Sequence, residues 1–201
     1  MSKVLLEAPI GKRGVDGLAP SSLLISAKAS YLDAIAPIVY PYVATEYGGL
    51  PFSFQDIFGK YSIESKGGNR VNLFGFNFND AVRFAGDKTI SWQSNGYGAD
   101  FLVIPASSGT LIEAHLAQSN YKIQSTELLN RPRQSAIDGF NGGLDFTYLL
   151  RKYDEFKYGL EFVGYRTDYE YTNSVGRTLD QVQNTTEIGG YMEYKRQQGR
   201  W

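Results

Sequence analysis

The feature that most constrains the fold is a long alternation of apolar and polar residues in residues 139–171. In the first arm of this stretch, almost every second residue is apolar and the residues between them are mostly polar or glycine. After the polar segment 151–155, the second arm repeats this alternation. A period of two places successive side chains on opposite sides of the chain, which is typical of strands and not of helices. The stretch is therefore predicted to be a β-hairpin with one apolar face and one polar, glycine-containing face.

The arms of this hairpin are long. The first arm keeps its alternation over residues 140–150, whereas a strand in a globular sheet averages about five or six residues. A tilted β-strand needs about 9–11 residues to cross a bilayer. Each arm is therefore long enough to span a membrane.

The same alternation recurs along the chain. A partial strand and turn in residues 5–18 precede eight predicted strands, which are residues 21–33, 52–65, 70–79, 89–104, 110–124, 134–150, 156–172 and 184–196. The third carries Phe74, Phe76 and Phe78 on one phase, and in the fourth a phase change between Trp92 and Tyr97 predicts a bulge at Asn95-Gly96. We predict an all-β, antiparallel up-and-down fold of about eight long strands.

The connections between these strands alternate in length. Short ones are 66–69, 105–109, 151–155 and 197–200, and longer ones are 34–51, 80–88, 125–133 and 173–183. Outer-membrane barrels have short periplasmic turns and longer extracellular loops. The pattern predicts a transmembrane β-barrel with residues 151–155 at the periplasmic end.

Composition agrees with this prediction. The chain has 15 Tyr, 12 Phe and 22 Gly but two Met, which suits long strands with aromatic girdles. Tyrosines near strand ends, namely Tyr148, Tyr158, Tyr165, Tyr169 and Tyr171, are expected at the lipid headgroups. The net charge of −1 argues against a nucleic-acid partner, and the lack of cysteine fits an oxidising compartment.

Alternation also predicts which side chains face lipid. An apolar set rich in Phe and Tyr favours an outward, lipid-facing role, since a soluble barrel would fill its interior mainly with branched aliphatic residues. The predicted lipid-facing residues are Phe140, Leu144, Phe146, Phe156 and Leu160. The predicted lumen-facing residues are Glu113, His115, Asn141, Asp145, Lys157 and Glu161.

No catalytic or metal site is predicted. The chain has one histidine, no cysteine and no Gly-x-Ser-x-Gly motif, so nucleophilic catalysis has little support. His115 and Glu113 share a phase, but a metal would need further ligands. Asp145 and Glu161 are interpreted as separate lumen carboxylates and not as a catalytic pair. We expect no enzyme activity and no cofactor.

Several segments resemble the barrel of Bacteroidetes-type TonB-dependent outer-membrane receptors. Residues 21–33 are similar to an early barrel segment, with Ala8-Pro9-Ile10-Gly11 before it as the counterpart of a Gly-Pro-Ile-like turn. Residues 50–56, 69–75 and 119–121 resemble later landmarks in the same order, and residues 187–194 resemble a later strand. The resemblance spans most of the chain.

The resemblance implies a Gram-negative outer-membrane location and TonB-energised import of a scarce, bulky solute, such as a siderophore, a cobalamin-like compound or a glycan. The TonB complex would act through a plug region. No plug-like sequence, TonB-contacting segment or signal peptide is present in residues 1–201, which are expected to form a single β-barrel region. Because such barrels have about 22 strands, the chain is expected to be about a third of the wall.

Two other interpretations remain open from the sequence. One is a complete small eight-stranded outer-membrane protein with a structural or adhesive role. The other is a soluble β-barrel or sandwich that binds a small ligand or a sugar. A chain that folds as a monomer in detergent-free buffer would exclude both membrane interpretations.

Overall fold

The computed structural model describes residues 2–11, 21–30, 35, 38–40, 52–84, 88–106, 108–126, 133–150, 154–173 and 175–196. These contain nine strands: β1 (Ser2–Ile10), β2 (Ser21–Ala29), β3 (Phe52–Glu64), β4 (Arg70–Phe84), β5 (Lys88–Val103), β6 (Thr110–Thr126), β7 (Arg133–Leu149), β8 (Asp154–Thr172) and β9 (Thr178–Arg196).

The nine strands form one antiparallel sheet in chain order, from β1 to β9. Each strand pairs with its sequence neighbours, so the predicted all-β, up-and-down architecture is confirmed. The partial strand predicted at the N-terminus is observed as β1, which brings the number of strands to nine. Within the described ranges, β1 and β9 are the two edges of an open sheet. No helix among these residues is long and apolar enough to cross a membrane.

The strand register is regular throughout, and the predicted bulge at Asn95-Gly96 is wrong. Asn95 pairs directly with Asn77 on one side and Asn120 on the other, and Gly96 pairs with Phe76. Trp92 and Tyr97 differ in phase simply because they lie on opposite faces of an uninterrupted strand. The aromatic residues therefore change from one face of β5 to the other because the environment changes along the strand, and not because an extra residue is inserted.

The predicted difference in loop length is largely wrong. β4 continues to Phe84 and β5 begins at Lys88, so most of the predicted loop 80–88 is strand. β9 begins at Thr178, which reduces the predicted loop 173–183 to a tight turn. These polar segments form strands because the cross-strand hydrogen bonds continue through them. β2 ends at Ala29 and β3 begins at Phe52, so a long stretch of chain separates these strands as predicted. Residues 31–34, 36–37, 41–51 and 127–132 lie outside the described residues.

The sheet has two ends, named here by their connections. The near end carries the connections 11–20, 65–69, 104–109 and 150–153, and the far end carries 30–51, 85–87, 127–132 and 173–177. Apart from 11–20 at the near end and 30–51 at the far end, the two ends have connections of similar length. Loop length therefore does not orient the sheet.

The sheet also has two faces, named here by one residue each. The Leu160 face contains the side chains in register with Leu160, and the Lys157 face contains those in register with Lys157. No described side chain is fully buried. The described strands thus form a single layer whose two faces both lack a covering layer, unlike the soluble sandwich considered above.

Candidate functional site

The near half of the Leu160 face is an uncharged apolar band. It extends from Tyr148, Phe156 and Tyr194 at the near end to Tyr97 and Phe140 at mid-sheet. Between these borders lie Val71, Leu73, Ala99, Phe101, Val103, Ile112, Ala114, Leu116, Leu144, Phe146, Tyr158, Leu160, Phe162, Ile188 and Met192. Leu160 is 63% exposed and Ile188 is 80% exposed. Large apolar side chains therefore line this half-face without cover from the described residues.

Aromatic packing on glycine organises this band. The Phe140 ring lies over Gly164 and the Phe162 ring lies over Gly142, each directly across the strand pair. A Cβ added at either glycine would clash with the ring. Next to them, Phe146 stacks on Tyr158 with ring centroids 4.9 Å apart. Cross-strand pairs of this kind hold β7 and β8 together in register.

The far half of the same face is polar. Its side chains include Asn77, Asn79, Gln93, Asn95, Asn120, Lys122, Gln124, Gln134, Asp138, Arg166, Asp168, Glu170, Asp180 and Asn184. Asn120 donates a hydrogen bond to Asp138 at 2.6 Å, and Gln134 donates one to Glu170 at 3.0 Å. This half suits contact with water.

The Lys157 face shows the opposite arrangement. Its far half is rich in aromatic residues, which are Phe52, Phe54, Phe58, Phe76, Phe78, Trp92, Tyr121, Tyr165, Tyr169 and Tyr171. Phe76 and Phe78 stack with centroids 4.9 Å apart, and Lys28 lies 4.8 Å from the Phe54 ring centroid. Tyr165, Tyr169 and Tyr171 were predicted at a lipid interface beside Tyr148 and Tyr158. Their register instead places them on the face opposite those two.

The near half of the Lys157 face is charged, with acidic side chains in excess. The acidic residues are Glu64, Asp100, Glu113, Asp145, Glu155, Glu161 and Glu193, and the basic ones are Arg70, Lys157 and Lys195. Lys157 forms an ion pair with Glu155 at 3.0 Å. Tyr191 donates a hydrogen bond to Asp145 at 2.6 Å. A net negative potential follows for this half-face.

The two sets of residues predicted from the alternation lie on opposite faces of the sheet. Glu113, His115, Asn141, Asp145, Lys157 and Glu161 lie on the Lys157 face, and Phe140, Leu144, Phe146, Phe156 and Leu160 lie on the Leu160 face. The assignment of these faces to lumen and lipid stays a prediction.

The predicted lumen residues are not all neighbours. Glu113 pairs directly with Asp145, and His115 lies beside them in the same strand. Asn141 and Glu161 pair with Val163 and Gly143 and stand apart from this cluster. Asp145 and Glu161 do not face each other, since Asp145 pairs with Gly159.

Three further residues complete the cluster and were not predicted, namely Arg70, Asn72 and Asp100. Asp100 pairs with Asn72 on one side and with His115 on the other. Their contribution depends on the register between β4, β5 and β6, which alternation within one strand cannot reveal. Among the described residues no group of three or more His, Asp or Glu side chains is close enough to hold a metal ion.

Comparisons with known proteins give the following results. No family model matches the chain, and no curated protein matches it. One solved structure is similar, a double mutant of the Serratia marcescens hemophore receptor HasR in complex with its hemophore HasA and heme. The identity is 9% and the TM-score is 0.37, over 96% of this chain and 38% of the receptor chain. This chain thus spans well under half of that receptor, and the likeness carries no argument about function.

Proposed function

We propose that this chain forms part of the wall of an outer-membrane β-barrel, with the Leu160 face toward lipid and the Lys157 face toward the lumen. The observation that carries this proposal is the uncharged apolar band, which is confined to one half of one face. Monomeric soluble proteins rarely expose apolar patches larger than a few hundred Å². A bilayer provides a surface that such a band can contact.

The height of the band fits a bilayer. Along β7 the band runs from Tyr148 to Phe140, which is about 26 Å at about 3.3 Å per residue. A strand tilt of about 35–45° reduces this to about 20 Å between Cα atoms at the two borders, close to the apolar height of about 25 Å in outer-membrane barrels. Aromatic residues lie at both borders, where such barrels carry their girdles.

The position of the band also supports an orientation. It begins directly at the near end, whereas the strands continue beyond it toward the far end for about half of their length. Short periplasmic turns and longer external extensions are typical of these barrels. The near end, with the connection 150–153, is therefore the periplasmic end in this proposal. The support comes from the band and not from loop length.

We further propose that the barrel is a TonB-dependent receptor that imports a scarce, bulky solute in a Gram-negative bacterium. The sequence resemblance in residues 8–11, 21–33, 50–56, 69–75 and 119–121 supports this step. The chain would contribute wall strands, and the TonB complex would act through a plug region. A non-catalytic role is part of this proposal and rests on the sequence, which has one histidine, no cysteine and no Gly-x-Ser-x-Gly motif.

Single-cysteine labelling tests the lipid-facing assignment, because the chain has no cysteine of its own. Cysteines at Leu160, Phe162, Glu161 and Asp168, one per variant, would carry the environment-sensitive dye NBD in phosphatidylcholine vesicles. Emission at 160 and 162 should shift to the blue and be quenched by doxyl-labelled lipid. Emission at 161 and 168 should remain typical of water. Equal quenching at 160 and 168 would contradict the proposed band.

The receptor assignment has a separate test in the neighbouring coding sequence. Plug-like sequence upstream and further alternating strands downstream would support it. A cleavable signal and stop codons directly bounding these residues would instead identify a complete small barrel.

A further inference from the structure

A hollow of about 370 Å³ lies on the near half of the Lys157 face. Its polar lining consists of Arg70, Asn72, Asp100, Glu113, His115 and Asp145. The regular register brings these residues together from four adjacent strands, β4 to β7. The hollow is therefore a product of strand pairing and not of a loop.

The hollow has an excess of negative charge. Glu113 and Asp145 are directly opposed across β6 and β7, and like charges in that position destabilise a sheet. Asp100 adds a third carboxylate, against the single guanidinium of Arg70. None of the three carboxylates forms an ion pair among the described residues. The arrangement lacks a cation that would balance it.

Asn72 provides a second and independent observation. Its exposure is 8%, which makes it the buried polar residue of the described chain. Its side chain lines the hollow, and it has no side-chain hydrogen bond among the described residues. The Asn72 amide is not among the described side-chain atoms that are both shielded from solvent and without a partner, so it is open to the hollow. An amide in this position is ready to bind a polar ligand in the hollow.

Two of the side chains that line the hollow lie over glycines of the neighbouring strand. The His115 ring lies over Gly143, and the Asp145 carboxylate lies over Gly159 together with the Tyr191 ring. A Cβ at either glycine would clash with these groups. The Tyr191 hydroxyl donates a 2.6 Å hydrogen bond that fixes the Asp145 carboxylate. The Asp145 carboxylate is thus held in place before any ligand arrives.

The chemistry favours an organic cation over a metal ion. A metal needs three or more ligands converging on a single point, and no such group exists among the described residues. Carboxylates spread around a hollow of this size instead suit a cation with several atoms. Guanidinium and ammonium groups donate several hydrogen bonds each, and a guanidinium matches carboxylate geometry.

We propose that this hollow binds a small organic cation that carries guanidinium or ammonium groups. Glu113, Asp145 and Asp100 pair with its charges, and the Asn72 side chain hydrogen-bonds to it. The wider acidic half-face around the hollow raises the local concentration of such cations. The inference goes beyond the proposed function, because a barrel wall does not require a solute site.

Calorimetric titration of the folded chain in uncharged detergent micelles tests the proposal. The probes are agmatine and its ureido analogue N-carbamoylputrescine, which has nearly the same shape and keeps the ammonium group but has a neutral urea in place of the guanidinium. The wild type should bind agmatine, and the analogue should bind at least about tenfold more weakly because one charge is lost. Glu113→Gln and Asp145→Asn should each weaken agmatine binding by about fivefold, the size of one partly exposed charge pair. Asn72→Ala should weaken both probes.

Two variants serve as matched controls. Glu187→Gln removes a carboxylate on the same face outside the hollow, and Asp168→Asn removes one on the opposite face. Both should change agmatine binding by less than about twofold, and circular dichroism should show unchanged strand content in every variant. Equal weakening by Glu187→Gln and Glu113→Gln would overturn the site in favour of a diffuse acidic face. Calcium binding that is tighter than agmatine and depends on Glu113 would also overturn it.

The binding proposal and the proposed membrane function can be contradicted independently of each other. The labelling experiment on Leu160 and Asp168 uses the same protein without agmatine. A chain that inserts into lipid but fails to bind agmatine overturns the site alone. A chain that binds agmatine but shows no lipid contact at Leu160 overturns the membrane wall alone.

Discussion

Leu160→Arg distinguishes a lipid-facing wall from a sheet that stands in water. Leu160 is 63% exposed and pairs with Leu144 in the middle of the apolar band. In water, a surface substitution of this kind changes the free energy of unfolding by less than about 0.5 kcal/mol. At the bilayer midplane, an arginine on the lipid face costs about 2–4 kcal/mol. The same change therefore gives different results in the two environments.

The position of Leu160 sets the expected size of the effect. It lies midway along β8 between Phe156 at the near end and Gly164 at the border of the band. We expect a loss of about 3 kcal/mol, which corresponds to more than a hundredfold change in the folded-to-unfolded ratio. Ala136→Arg is the matched control, since Ala136 lies on the same face in the polar far half, between Lys122 and Asp168. Its expected effect is below about 0.5 kcal/mol.

Guanidinium titration in fluid phosphatidylcholine vesicles measures both variants. Trp92 lies on the Lys157 face and reports folding once the second tryptophan, Trp201, is replaced by phenylalanine. The fluorescence of Trp92 gives the free energy of unfolding of each variant. Equal effects of Leu160→Arg and Ala136→Arg, or a loss below about 0.5 kcal/mol at Leu160, would refute the lipid-facing assignment.

Two further predictions concern packing and turns. Gly142→Ala should lower the free energy of unfolding by about 1–3 kcal/mol, because the new Cβ would clash with the Phe162 ring. Gly189→Ala is the control, since the space at its Cβ position is open. It should change the free energy of unfolding by less than about 0.5 kcal/mol in the same titration. Asn173→Ala should cost about 1 kcal/mol, because its Oδ1 accepts hydrogen bonds from the Val175 amide at 3.0 Å and the Arg177 amide at 2.9 Å. Faster hydrogen exchange at Arg177 would show the loss locally, and unchanged exchange would contradict the assigned turn.

Strand identity was largely predictable from the sequence, and strand ends were not. The alternation in residues 139–171 predicts β7 and β8 to within a few residues, because the side-chain period within a strand is a local property. The predicted C-terminal end of β4 and the predicted start of β9 were wrong, since both strands extend further than their alternation suggested. There the cross-strand hydrogen bonds to β5 and β8 decide the structure, and a single sequence does not display pairing partners.

The candidate cluster was only half predictable, for the same reason. Glu113, His115 and Asp145 follow from alternation together with the pairing of neighbouring strands. Asp100 and Asn72 join them because β4, β5 and β6 pair without a bulge. Since a shift of one residue in any of these pairings would move a strand's side chains to the other face, register had to be known before the hollow could be recognised.

Within single strands, the apolar and aromatic side chains change from one face of the sheet to the other, and this change is the strongest argument for the membrane interpretation. In β8 the even-numbered Tyr158, Leu160 and Phe162 are apolar or aromatic, whereas beyond them the odd-numbered Tyr165 and Tyr169 are aromatic and their even-numbered neighbours are charged. The regular register excludes a bulge as the cause. A soluble sandwich would bury the same face along the whole strand. An exchange at a similar level in neighbouring strands indicates that the surroundings of the Leu160 face change along the strand, as they would at the border between lipid and water in the proposed barrel.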